Sequence, residues 1–273
     1  MQLGASPPQH LTDLLGPGPI RQVRLDLTTR CNLRCVYCAV SQPHYSGSDM
    51  PGELAHRAAE LVAELTRYNP IRTIGVNGHG ETTFIPGWED QVAPLLNRGL
   101  PVGMTSNLAK KFSARELTVL SAFRNIAVSI DTADAALLRR MRRKVSLRHI
   151  VKNIELIRAA AQRLGRPPPA FTFLAGLYYP CAMSVVPLAE LAVSLGVTQI
   201  GFWDLRRYDY VDNDLAADEQ PTPLAELDDS ILQHCLDEIA AALRLLKSHG
   251  VQIDMHADFV AVLARGRGLS FAA

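Results

Sequence analysis

QVRLDLTTRCNLRCVYCAV occupies residues 22–40. Its first six residues, Gln22–Leu27, alternate apolar and polar side chains, the pattern of a half-buried strand. Three cysteines follow at once: Cys31, Cys35 and Cys38, separated by three residues and then by two. Three thiols on one short loop can converge on one metal centre. An odd cluster cannot pair off internally, and five cysteines in 273 residues are too sparse for a disulfide scaffold. A zinc site usually takes four ligands in Cys/His pairs, and no matching second pair stands elsewhere in the chain. A four-iron cluster on three thiolates leaves one iron without a protein ligand. Two plainer readings stay open here: a three-cysteine zinc site completed by a distant histidine, and free thiols.

On either side of this loop the apolar period switches between 2 and 3.6 residues. Leu54, Ala58, Leu61, Val62 and Leu65 predict a helix over Glu53–Arg67, with those side chains on its buried face. Short strands are expected at Thr73–Val76, Val102–Thr105, Asn125–Ile130, Ala170–Leu174 and Gln199–Trp203. Helices are expected near Trp88–Asn97, over Ala114–Ala122, over residues 147–164 and over Pro187–Leu195. Six strand–helix units in order argue an α/β protein with a parallel sheet and its helices outside. In such folds the site lies at the C-terminal ends of the strands, so the loops after the strands should carry the chemistry. A long helix follows, with Leu224, Leu227, Ile231, Cys235, Ile239, Leu243 and Leu246 on one face, and Val251–Met255 is a candidate seventh strand. Residues 1–20, rich in Pro and Gly, read as a lead-in, residues 21–220 as the core, and residues 221–273 as a helical extension packed on it.

Composition narrows the function classes. Lys plus Arg total 28 and Asp plus Glu 27, a formal charge of +1, which gives no support to a nucleic-acid or membrane binder. No stretch approaches the roughly 20 apolar residues of a membrane span, and the N-terminus lacks a basic start before an apolar run. A cytoplasmic protein with a small-molecule partner is the expectation.

With the aromatic Tyr37 immediately before Cys38, the loop resembles that of the radical S-adenosylmethionine (SAM) superfamily, CxxxCxΦC with Φ aromatic. That loop follows the first strand of a partial (β/α)6 TIM-like barrel, and the resemblance covers roughly Gln22 to Trp203. It implies a [4Fe-4S] cluster on Cys31, Cys35 and Cys38, with SAM on the unique iron and Tyr37 among the cofactor contacts. It also implies an electron donor such as flavodoxin or ferredoxin. Reductive cleavage of SAM then gives methionine and a 5′-deoxyadenosyl radical, which takes a hydrogen atom from the substrate.

Gly78-His79-Gly80-Glu81-Thr82, after the second expected strand, resembles the family's GGEP-type motif, which holds the SAM ammonium. Glycines let backbone carbonyls approach a ligand, and a carboxylate offsets a cation. His79 replaces the commoner Gly and Thr82 replaces Pro. By the same resemblance Ser106 and Asn107, after the third strand, and Ser129 and Asp131, after the fourth, contact the methionine portion and the ribose. Helix capping is the plain alternative for these small polar residues. The basic run Arg139–Lys144 defaults to a solvated face, while the resemblance puts one arginine, such as Arg143, on the SAM carboxylate.

The substrate is less legible. Cys235 lies on an apolar helical stripe and reads as packing. Cys181, just past the fifth strand, is a candidate hydrogen-atom donor to a substrate radical, against the alternative of a loop thiol without a role. Tyr178, Trp203 and Asp204 are candidate substrate contacts. The loop Asp204–Glu219 is acidic, and covering the mouth it would favour a cationic substrate such as an amino sugar. The resemblance thus implies hydrogen abstraction from a sugar, aminoglycoside, nucleoside or amino-acid derivative, leading to epimerisation, dehydrogenation or decarboxylation. The alternatives are a peptide-modifying or glycyl-radical-activating enzyme, and a zinc-stabilised binding module.

Overall fold

The computed structural model describes residues 19–205, 211–216, 219–255 and 260. In chain order these form β1 (Gln22–Arg24), β2 (Arg34–Cys35), α1 (Gly52–Leu65), β3 (Thr73–Gly75), α2 (Trp88–Leu96), β4 (Val102–Ser106), α3 (Ala114–Leu120) and β5 (Asn125–Ser129). There follow α4 (Ala135–Met141), β6 (Arg142–Arg143), α5 (Leu147–Arg163), β7 (Ala170–Tyr179), α6 (Val185–Ser194), β8 (Gln199–Asp204), β9 (Thr222–Pro223), α7 (Asp229–Ser248) and β10 (Gln252–Met255). No described helix is long and apolar enough to cross a membrane.

The main sheet runs β1-β3-β4-β5-β7-β8-β10, with every neighbouring pair parallel. Spatial order therefore equals chain order. Each crossover helix returns the chain to the next position on the same side, and a right-handed connection repeated this way curls the sheet. The result is a half-barrel with β1 and β10 at its edges. The candidate seventh strand is real and pairs with β8, which ties the C-terminal segment to the core sheet.

The two faces of the sheet differ sharply. Ile74, Val76, Ile126, Val128, Phe173 and Ile200 are fully buried under the helices, each burial contributing about 1.5–3 kcal/mol. Their neighbours along the strands face the concave side. There Thr105, Ala127, Thr172 and Gln199 lie in one register row and are only half-buried. Gly75, Gly103 and Asn125 form the next row. A Cβ on Gly103 would fall 2.3 Å from Asn125 Oδ1, so that glycine is what lets the amide lie across the strand. The inner face is thus small, polar and open.

Two expectations are corrected. The face of α1 that packs is Ala55, Ala59, Val62 and Leu65, while Leu54 and Leu61 are 50% and 48% exposed. Two apolar stripes coexist on this helix, and the one carrying alanines allows the closer approach to its neighbours. The run around Arg139 is not simply a solvated face. It overlaps the end of α4, and its Met141 and Arg142 are buried. β7 also continues five residues past Leu174, to Tyr179. The 1–20 lead-in lies, up to residue 18, outside the described residues, as do Asp209 and Asp218 of the acidic loop.

Candidate functional site

Beyond β1 the chain crosses the C-terminal edge of the sheet. Thr28 Oγ1 donates to Asp49 Oδ1 (2.6 Å) and accepts from Arg30 N (3.0 Å), while Arg30 pairs with Asp49. Buried Leu33 and Val36 anchor the loop. Between them β2 pairs antiparallel with β6, which sets Cys35 opposite Arg142, and Val36 N donates to Met141 O (2.9 Å). The loop is therefore held from both flanks. Cys35 is buried, and Cys31 and Cys38 are half-buried. Leu33 N points at Cys31 Sγ (3.4 Å), and Asn107 Nδ2 lies 3.9 Å from the same sulfur. Burial pushes the Cys31 thiol up to about 11 and the Cys35 thiol up to about 12. Both stay protonated at neutral pH unless a positive charge is brought to them. A cavity of about 320 Å³ touches Cys35, Arg34, Gln42 and Arg143. Another of about 300 Å³ touches Cys31, Arg30, Tyr45 and Phe84.

Behind the loop stands Asp131, 1% exposed, at the end of β5. Arg142 grips it with Nε and Nη2, both at 2.7 Å. Tyr37 donates its hydroxyl (2.7 Å), Tyr178 its hydroxyl (3.0 Å), and Gly176 its N–H (3.1 Å). Burial works to raise the Asp131 carboxyl, but the Arg142 guanidinium and the hydrogen bonds outweigh it and hold the group below the ordinary carboxylate range. Burial also lifts both phenols well above their ordinary value, so they remain donors. One carboxylate thus joins the cysteine loop, β5, β6 and β7. Tyr37 stacks edge-on against Tyr178 (5.3 Å) and Trp203 (6.3 Å).

The Gly78–Thr83 turn sits against the start of the cysteine loop. Gly80 N donates to Thr28 O (3.1 Å) and Glu81 N to Arg30 O (2.8 Å). A Cβ on Gly80 would lie 2.3 Å from Arg30 O and 2.5 Å from Thr28 O, so only glycine fits there. Glu81 is 3% exposed and fully engaged. Its Oε1 accepts from Thr83 N, Thr83 Oγ1 and Ser106 Oγ, and its Oε2 accepts from Asn107 N. Burial raises this carboxyl above the ordinary range despite those donors. Glu81 therefore braces the loops of β3 and β4. Asn107 Nδ2 donates to Asn32 Oδ1 (2.9 Å) inside the cysteine loop. Neither Ser106, Asn107 nor Ser129 caps a helix. The caps are Ser113 for α3 and Asp134 for α4.

The two charged runs meet each other. Arg140 pairs with Glu219 and Arg143 with Asp214. Gln42 and Asp212 exchange two 3.0 Å hydrogen bonds. The described part of the acidic loop is thus strapped beside the cysteine loop, with Asp214 and Glu219 each paired to an arginine. The buried arginine of the run is Arg142, committed to Asp131, whereas Arg143 lines the larger cavity. Arg142 carried no separate sequence signal, because nothing in a run of basic residues marks which one turns inward.

Tyr178 and Cys181 are both 0% exposed and pack with Val36, Leu137, Met141 and Leu205. Cys181 is therefore buried in this wall. Trp203 is half-buried beside Tyr37, and Asp204, also half-buried, accepts from Leu205 N. Cys235 is buried with its Sγ 3.5 Å from Met183 Sδ.

The donor set suits a cluster. Three unbridged thiols lie on one eight-residue stretch, Cys31–Cys38, held against the sheet, the all-sulfur donor set that an iron–sulfur cluster takes. Among the described residues no three His, Cys, Asp or Glu side chains close on a single ion. Three thiolates around a cubane bind three different irons and need not close so tightly.

Residues 25–167 match the family described as the radical SAM superfamily. The chain is similar to GTP 3',8-cyclase of Mycobacterium sp. (strain KMS), 35% identical over 156 residues, which cover 54% of this chain and 41% of that protein. It is similar to a probable GTP 3',8-cyclase of Archaeoglobus fulgidus, 32% identical over 149 residues, which cover 50% and 44%. The chain spans about two fifths of the length of these curated relatives. Among solved structures, Streptococcus suis SuiB bound to S-adenosylmethionine matches with a TM-score of 0.65 at 10% identity, over 91% of this chain and 52% of SuiB, a likeness of fold.

Proposed function

The chain belongs to the radical SAM superfamily, and we propose that it binds a [4Fe-4S] cluster through Cys31, Cys35 and Cys38 and acts with SAM on a small polar molecule. The family works with this cluster and SAM, which when bound supply a 5′-deoxyadenosyl radical for hydrogen abstraction. The observation that carries the reading is the three-thiol loop pinned at the C-terminal edge of a half-barrel whose inner face is polar.

The protein's own task is to bind, orient and exclude water. Asn32 and Asn107 tie the cysteine loop to the β4 loop, and Asp131 with Arg142 fixes Tyr37. The Gly78–Gly80 turn offers backbone carbonyls for the SAM ammonium, and Arg143, which lines the larger cavity, would take the SAM carboxylate in exchange for its exposed partner Asp214. Ser129 and Trp203 stand at the rim, above Thr105, Thr172 and Gln199. Those side chains offer hydroxyl and amide hydrogen bonds, which suit a sugar, nucleoside or amino-acid derivative. The curated relatives are named for GTP, so a nucleotide is the first member of this class to test. The reading also calls for a cytoplasmic flavodoxin- or ferredoxin-type electron donor.

Anaerobic reconstitution with iron and sulfide is the test. The wild type should become brown, bleach with dithionite, and form 5′-deoxyadenosine from SAM under reducing conditions. Alanine at any one of the three cysteines should abolish both signals while leaving the fold. A colourless, zinc-loaded protein, or a cluster protein that never forms 5′-deoxyadenosine, overturns the reading.

A further inference from the structure

Beneath the Gly78–His79 turn lies a carboxylate with incomplete hydrogen bonding. Asp26 follows β1 on the inner face of the half-barrel, and a Cβ on Gly78 would fall 1.8–2.0 Å from its three carboxylate atoms. Gly78 is thus the notch in which this carboxylate nests. Its Oδ2 accepts from His79 N (3.2 Å) and faces His79 Nδ1 (3.4 Å). Its Oδ1 is buried with no hydrogen-bond partner, an uncommon condition for a polar atom in a folded protein. The side chain as a whole is 33% exposed. Among the described residues its ion-pair partner is the His79 ring, itself 80% exposed.

The neighbouring polar groups are all engaged. Thr28 Oγ1 donates to Asp49 (2.6 Å), Asn77 Oδ1 accepts from Thr105 N (3.0 Å), and Ser106 Oγ donates to Glu81 (2.9 Å). Glu81, which the sequence offers as the carboxylate for a bound cation, takes four donors from the protein itself. Asp26 has one backbone donor and one exposed ring. A carboxylate so placed is a strong acceptor for a charged N–H.

We infer that Asp26, rather than Glu81, is the anionic binding residue for the α-ammonium group of SAM at this turn. The inference rests on the function proposed above. Gly78 keeps the carboxylate in place, and the turn carbonyls complete the seat.

The test measures equilibrium binding to the anaerobically reconstituted chain, using SAM and an analogue in which hydrogen replaces the α-amino group. Asp26→Asn should bind SAM on the order of ten- to a hundredfold more weakly, the range of a lost charge-assisted hydrogen bond. It should bind the deaminated analogue as the wild type does, with iron content and cluster absorption unchanged. Gly78→Ala, which displaces the carboxylate without removing it, should show the same selective loss. If Asp26→Asn binds SAM as tightly as the wild type, or loses SAM and the analogue equally, the inference is overturned and the proposed function stands. A wild type that assembles its cluster and binds neither ligand overturns the function and this inference together.

Discussion

Neutralising Asp131 leaves Arg142 buried without a counter-ion. Both side chains are almost wholly shielded, at 0% and 8% exposure, and breaking such a pair costs about 3–5 kcal/mol. Asp131→Asn should therefore lose stability on that scale in urea unfolding, and Tyr37 should lose its fixed position. The pH dependence follows from the same contact. The folded-state carboxyl lies below the ordinary range, so its contribution is complete above the unfolded-state value of about 3.9 and is lost as pH falls through the depressed one. Urea midpoints should drop more steeply in acid for the wild type than for Asp131→Asn. Equal acid slopes would show that the pair does not govern this region. In the sequence, Asp131 and Tyr37 are legible as site residues. Their direct bond is not, because 94 residues separate them.

At the scale of elements, α1 offers the clearest check on how apolar spacing becomes burial. Leu54, Ala58 and Leu61 satisfy a helical period as well as Ala55, Ala59 and Val62 do, yet only the second set packs. Leu61→Glu should change stability by no more than about 0.5 kcal/mol. Ala59→Leu, forced into a fully packed contact, should cost about 1–3 kcal/mol. Thermal melts of the two variants decide the matter, and a reversed order would mean that the leucine stripe is the buried one. The other helices and the seven parallel strands were readable from their periods, except α4 (Ala135–Met141), which no expected helix covers, and Leu224 and Leu227, which lie before α7 and not on it. The two-residue strands β2 and β6 were not. They have no period, and they exist because α4 delivers Arg142 alongside Cys35.

For the whole molecule, the near-zero net charge conceals an internal pairing of the basic run with the acidic loop. Arg140–Glu219 and Arg143–Asp214 are both largely exposed, so each is weak and screened by salt. Arg143→Glu should loosen the strap beside the cysteine loop. Amide exchange over residues 211–216 should rise at low ionic strength, and the difference from wild type should shrink at high salt. Exchange that ignores both the charge and the salt would show that the Gln42–Asp212 hydrogen bonds hold the strap alone. With Asp214 and Glu219 of this loop already paired to arginines, the polar inner face is the better guide to what enters.

The order of strands and helices, the three-cysteine loop and the glycine turn were written in local patterns, so the chain alone determined the parallel α/β order, and the resemblance of its motifs implied the half-barrel and its cofactor chemistry. Which arginine turns inward, which carboxylate keeps an oxygen unpaired and whether Cys181 is buried depend on contacts between segments far apart in sequence. Those were decided only when the sheet curled and brought the loop ends together, because burial and hydrogen-bond supply are properties of the packed site and not of any one segment.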